Sequence, residues 1–413
     1  MYPSMETIKN TSEYRSYKRI PAAREIYADF ITPIEAAKIL KSASSHVFLL
    51  ESVEDKERWG RYSFLGFNPA LEITCSENTV TLRDERGKKI LEGSPQENIR
   101  KIIAKYKSPR IEGMPPFTGG LVGYFSYDYI RHIEKKLKFI IQGDDFKDMD
   151  LMLFDSVIAF DSFKQKIILI TGVYTDDIDE SCARAEKTLD DMERLLKNGK
   201  KSSDAPLKLK SGLTHDFSEE KYCDMVEKAK NHIREGDIFQ AVLSNPIRAK
   251  AEGSLFDTYR VLRATNPSPY MFYFSSDDME AAGASPETLV KLENGTLYTY
   301  PLAGSRPRGK TREEDKRLEE ELLRDEKELA EHNMLVDLGR NDIGKISKIG
   351  SVQVEEYLNI VRYSHIMHIS STVSGKIRED KDAIDAIDAI LPAGTLSGAP
   401  KIRACEIINE LEG

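Results

Sequence analysis

Apolar positions recur along this chain at two different periods, and the period separates strands from helices. Between Arg312 and Glu331 the sequence is densely charged, yet Leu318, Leu322, Leu329 and Leu335 return at helical spacing. The pattern predicts one long acidic helix, entered from the small-residue turn Leu302-Ala303-Gly304-Ser305 and stopped near Gly339. A second amphipathic helix is predicted from Ser218, with Tyr222, Met225, Val226, Ala229 and Ile233 on one face and Gly236 as terminator. Shorter helices are predicted over 33–40, 180–196, 382–391 and 400–411.

Strand patterns occupy 46–52, 58–67, the stretch GDIFQAVLSNP with Gln240 and Ser244, and Ile366 to Val373. Hairpins are predicted for 71–74 with 79–83, for 156–160 with 166–170, and for 288–292 with 296–300 around Asn294-Gly295. The glycines of TGGLVGY (118–124) fit a close-packed strand better than a phosphate loop. The polar, basic segment KNGKKSSDAPLKLK (197–210) changes the composition. The expected organisation is therefore an N-terminal region 1–196, a linker 197–214 and a C-terminal region 215–413. Runs of strands broken by long helices give an α+β class, with antiparallel sheets and helices outside.

Formal charge is −9, from 69 acidic against 60 basic residues, with no basic run interleaved with aromatics. A nucleic-acid partner is not expected, and an anionic ligand needs a local metal or backbone amides to offset the general field. The four cysteines are far apart and form no CxxC, as for free thiols in a reducing cytoplasm. No signal peptide and no membrane span are visible, so a cytoplasmic protein is expected.

Glu328 and Glu331 lie three residues apart, so both carboxylates leave one helix face, and Leu335 turns that face inward. A buried acidic pair must be protonated, hydrogen-bonded or bound to a cation, and without soft ligands nearby the hard cation Mg2+ fits best. Composition alone favours a solvated charged helix. His365 and His368 sit on a predicted strand at odd spacing, hence on opposite faces, so one of them is structural. Taken singly, Gln240 reads as an ordinary strand amide and Glu287 as a strand-edge carboxylate.

Four stretches change these readings: PLAGSRPRG, DEKELAEHNMLVDLGRNDIG, VRYSHIMHISSTVSG and LPAGTLSGAPKIRACEIINELEG. Together and in this order they resemble the chorismate-utilising enzymes, and among them the large subunits of anthranilate synthase. The resemblance implies two large packed antiparallel sheets, with the two sequence regions interleaved. It implies a lyase that converts chorismate and ammonia to anthranilate and pyruvate, the first step of tryptophan biosynthesis. Ammonia would come from glutamine through a separate glutamine amidotransferase subunit.

The resemblance also assigns roles. Gln240 stands where water-adding relatives carry a basic lysine; an amide can instead position ammonia. Ala303 stands where relatives making 4-amino-4-deoxychorismate often carry a nucleophilic lysine, which disfavours the alternative, aminodeoxychorismate synthase component I of the folate pathway. Glu287, after Ser285-Pro286, matches the general acid, although Ala284 replaces a frequent serine. His368 matches the active-site histidine. Gly304, Ser305 (for the usual threonine) and Thr395 are the implied chorismate contacts, and Glu331 with Glu328 the implied Mg2+ ligands. Glu51, Ser52, Pro269, Tyr270 and Met271 resemble the allosteric L-tryptophan pocket. A non-catalytic tryptophan-binding regulator is the reading from another class. The resemblance stops at Glu410-Leu411-Glu412-Gly413, within the family pattern. The C-terminal part of the fold, with a second glutamate pair, is thus expected to be missing and the chain alone to have little activity.

Overall fold

The computed structural model describes residues 1–52, 60–137, 146–363 and 365–412. Two compact units emerge: residues 1–126, 146–208 and 251–286 form the first, and 127–145, 209–250 and 287–413 the second. The division expected from composition runs differently, because pairing between remote strands outweighs sequence order. Tyr270–Ser275 joins the N-terminal sheet beside Val47–Glu51, and Glu280–Ser285 follows it. Part of the expected 58–67 strand lies outside the described residues; Tyr62–Phe67 is strand.

The first unit holds a seven-stranded antiparallel sheet and a five-stranded one. On one face of the larger sheet, Ala36, Ala37 and Leu40 of helix Pro33–Ala43 pack with Leu189, Met192 and Leu196 of helix Ile178–Asn198. Phe256 and Tyr259 of helix Phe256–Thr265 join them over Leu49, Leu65, Met271 and Tyr273. On its other face, Phe48, Val157 and Phe274 meet Met152 and Phe154 of the smaller sheet. Both predicted hairpins of this unit form. The unit is thus layered helix, sheet, sheet, as alternating strand patterns with outer amphipathic helices require.

The second unit is built on a five-stranded sheet in which Ile366–Lys376 pairs with Thr296–Thr299, Leu302–Pro307 and Gln353–Arg362. Asn294-Gly295 makes the predicted two-residue turn, with φ of 50° and 74° joining Glu293 to its partner Thr296. Ser218 caps helix Glu219–Glu235 by accepting from the Lys221 amide, and Gly236 ends it. Met225 and Ala229 of its predicted apolar face are buried, whereas Ile233 is exposed. Only Gln240–Ala241 of GDIFQAVLSNP is strand, paired with Gly398–Ala399, and Ser244 lies beyond it.

The long acidic helix is two helices, Arg312–Leu322 and Glu326–Gly344. Asp325 breaks it by taking the Lys327 and Glu328 amides on its own carboxylate, the geometry of an N-cap. Gly339 is no stop. The second helix runs through it, and the missing side chain lets the helix approach Thr299 and Pro301. Leu322, Met367 and Ile369 form one patch beneath these helices, and Val336, Ile343, Ala389 and Ile390 another.

Candidate active site

The sequence-predicted catalytic, substrate and metal residues all fall in the second unit, arranged around helix Glu326–Gly344. On the sheet side, His332 of this helix is fully buried and shares a 2.7 Å hydrogen bond with Ser371. Burial alone lowers its pKa to about 4, so the ring is neutral. His332 was not singled out from the sequence; its helical spacing to Leu335 and Val336 marks it as core. Through Ser371 it ties the helix to the strand that carries His368.

His368 and Ser305 are cross-strand partners, their side chains 3.0 Å apart. The pairing register shifts between Ala303 and Ser305, where Gly304 takes φ 73°, a conformation a side chain disfavours. This bulge aims the Gly304 carbonyl at His368 Nδ1, at 3.2 Å. A carbonyl can only accept, so Nδ1 carries the proton and Nε2 keeps a lone pair. Burial pushes the imidazole pKa down, against a smaller upward push from the Gly304 bond. His365 is exposed and precedes the strand. Of the two histidines, His368 alone joins the predicted turn.

Glu287 accepts a 2.9 Å hydrogen bond from the Thr395 hydroxyl. Burial raises the pKa of this carboxyl, and the Thr395 bond offsets part of the rise. Thr395 lies in a short 3-10 turn, Gly394–Leu396, whose following amides at Leu396 and Ser397 are bonded back to Ala393 and Gly394. The Thr395 hydroxyl is thus engaged by the Glu287 carboxyl, and two of the loop amides close the turn.

Gln240 and Glu331 line a cavity of about 710 Å³ with Phe239, Met334, Leu338 and Pro400. Gln240 Oε1 is buried and, among the described residues, has no hydrogen-bond donor. Glu331 is half-buried and, among the described residues, has neither hydrogen bond nor ion pair. Leu338 lines this cavity and also the narrow cleft that holds Glu287 and Thr395. Glu328 is half-buried, lies 3.8 Å from Arg306, and reaches the Gly304 bulge. The acidic pair is therefore less buried than expected, and its members face different neighbours. The donors still suit a hard divalent cation: they are carboxylate oxygens, and Glu331 lacks a protein cation. Arg306, missed in the sequence, binds Asp325 at 2.8 Å and Glu321 at 3.1 Å, steadying the helix break beside the site.

The five predicted regulatory residues lie in the first unit. Their two stretches are adjacent strands, with Met271 opposite Glu51. Glu51 is buried and already occupied: it accepts from Tyr259 at 2.8 Å and from Arg263 at 2.8 Å and 3.1 Å. Its carboxylate is thus committed to the protein rather than open to a ligand amine. Met271 is in the core, and Ser52 and Tyr270 are half-buried.

Residues 46–413 match the family model of chorismate binding enzymes. The chain is 44% identical over 420 residues to anthranilate synthase component 1 of Acetivibrio thermocellus, covering 100% of this chain and 84% of that protein. It is 43% identical to the Acinetobacter calcoaceticus protein of the same name, over 96% of this chain and 82% of that one. Among solved structures, anthranilate synthase component I from Streptococcus pneumoniae superposes with TM-score 0.74 at 38% identity, over 87% of this chain and 78% of that one. The menaquinone-specific isochorismate synthase MenF of Escherichia coli shares the fold, with TM-score 0.65 at 15% identity over 98% of this chain and 83% of that one. With its turn, acid and helix assembled in one unit, the chain belongs to the chorismate binding enzymes, in the anthranilate synthase component 1 group.

Proposed function

We propose that this chain is the large subunit of an anthranilate synthase, adding ammonia to C2 of chorismate, expelling the C4 hydroxyl as water, and then eliminating pyruvate to leave anthranilate. The observation that carries this reading is Gln240 Oε1, a buried acceptor that opens with Glu331 onto one cavity, neither having a partner among the described residues. An amide oxygen can hold the N–H of ammonia but cannot deprotonate water, which fits amine transfer rather than hydration.

Glu287 keeps its proton longer than an ordinary carboxyl because it is buried, and Thr395 fixes its orientation. It is the proposed acid for the departing hydroxyl. His368, neutral and with Nδ1–H engaged by Gly304, presents Nε2 to accept the ring proton as pyruvate leaves. Gly304 and Ser305, beside it, are the proposed seat of a chorismate carboxylate. Glu331, with Glu328 one turn away, would hold Mg2+, whose charge when bound offsets that of the substrate carboxylate. Ala303 is buried and has no nucleophile, which favours the 2-amino product over the 4-amino one.

Ammonia is proposed to arrive from a separate glutamine amidotransferase subunit, in the cytoplasm. L-tryptophan inhibition through Ser52, Pro269, Tyr270, Met271 and the Glu51 strand is proposed because these segments pair side by side. Since the Glu51 carboxylate is occupied, the ligand amine is assigned to backbone carbonyls at these strand ends. Incubation with chorismate, ammonium and Mg2+, followed by fluorescence and chromatographic identification of the product, tests the reaction. A product with its amine para to the carboxylate rejects it.

A further inference from the structure

Lys401 is 8% exposed and sits at the first position of helix Lys401–Glu412. Two costs attach to that place: a buried cation loses hydration, and the positive end of a helix repels it. Its ammonium donates to Asp342 Oδ2 at 2.6 Å and to the Ile390 carbonyl at 2.7 Å. Asp342 is itself buried, near the end of helix Glu326–Gly344, and Ile390 is the last residue of helix Ala383–Ile390. A buried pair of this kind is a poor means of adding stability, because desolvation consumes most of the attraction. It does fix geometry, since one ammonium must satisfy two acceptors on two elements.

The elements so joined are those that carry the site. Helix Glu326–Gly344 bears Glu328 and Glu331. The chain leaving Ile390 runs directly into the turn with Thr395, the donor to Glu287. Ala399, two residues before Lys401, accepts from the Phe239 amide at 2.7 Å and is the cross-strand partner of Gln240. We propose that Lys401 is a positioning residue, clamping the 391–400 segment to helix Glu326–Gly344 so that Thr395, Gln240 and Glu331 hold a common geometry. The catalytic part of this proposal rests on the anthranilate synthase reading; the clamp itself does not.

The test compares Lys401→Met, Asp342→Asn and the double variant Lys401→Met with Asp342→Leu. Each is read by thermal unfolding, by amide hydrogen exchange, and by kcat and KM for chorismate with ammonium. Lys401→Met alone leaves the buried Asp342 carboxylate with only the solvent-exposed Lys345, 3.3 Å away, as its cation, and lowers both Tm and kcat. The double variant removes both charges and recovers the Tm. Its kcat is expected to stay about 100-fold down, the size of a roughly 1 Å misplacement, with KM little changed. Amides 394–397 should exchange faster in it, while the helix core keeps its protection. Asp342→Asn, which keeps an oxygen acceptor, should fold and retain slow loop exchange. Recovery of kcat together with Tm in the double variant, or unchanged loop exchange in it, overturns the proposal. If the parent makes no anthranilate, the exchange data alone decide the clamp, and the reaction assignment fails separately.

Discussion

The Thr395 hydroxyl lies 2.9 Å from Glu287 Oε1, and this bond works against the burial that raises the Glu287 pKa. A general acid must be protonated, so turnover should fall as pH rises through that pKa. In Thr395→Val the lowering influence is gone, and the alkaline fall of kcat should move to higher pH. Peak kcat should drop by about tenfold or more from lost orientation. An alkaline limb that stays in place, measured over a full pH profile, would remove Glu287 from the acid role.

The same carboxyl predicts a stability effect of opposite sign. Its folded pKa is raised, so its ionisation weakens the fold as pH climbs from the unfolded value through the folded one. Glu287→Gln should therefore melt at the same or a higher temperature than the parent at neutral pH, with no such gain in acid. Its turnover should fall by about 10²–10⁴-fold. A lower melting temperature at neutral pH would mean the carboxylate is structurally needed.

Gln240 Oε1 is a buried acceptor left unsatisfied by the described residues. Gln240→Leu removes that cost and should stabilise the chain by about 1 kcal/mol while ending ammonia-dependent turnover. Denaturant melts and the ammonium assay, run side by side, separate the two effects; destabilisation would show that the amide has a structural partner after all.

Glu331 has no partner in the described protein, so Glu331→Gln should leave the metal-free melting curve almost unchanged. Calorimetry should show Mg2+ affinity weakened by about tenfold or more. Glu328→Gln should act more mildly on Mg2+ affinity, because Arg306 already stands 3.8 Å from Glu328. A large loss of stability in metal-free Glu331→Gln would make the residue structural.

Glu51 and Ser52 should separate in the opposite sense. Glu51→Ala leaves Arg263 and Tyr259 without their acceptor and should cost about 1–3 kcal/mol. Ser52→Phe should relieve tryptophan inhibition with stability and ammonia-dependent kcat retained. Loss of catalysis and inhibition in equal measure in Ser52→Phe would argue against two distinct sites.

What could be read in advance was local. Asn294-Gly295 formed its turn, and Ser218 and Gly236 bounded their helix, because these residues act on their own backbone. The break at Asp325 was readable too: Asp325 followed three residues on by Glu328 is an N-cap pattern, hidden by the surrounding charge. The roles of Lys401 and His332 were not readable, because their partners Asp342 and Ser371 lie far off in sequence and share no spacing with them. The contacts of the Glu51 carboxylate were unreadable for a similar reason. Its partners on helix Phe256–Thr265 arrive only through tertiary pairing.

That pairing has a consequence for synthesis on the ribosome. Strand Val47–Glu51 gains its second neighbour only from Tyr270–Ser275, so its outer edge stays bare while everything between is translated. A nascent chain halted before Tyr270 presents the apolar edge VFLLE without its cover, an invitation to pair with another chain. Folding of the first unit must wait for the chain to pass through residues 209–250 of the second unit and return. The point in synthesis at which this edge is covered is thus set by the position of one late strand.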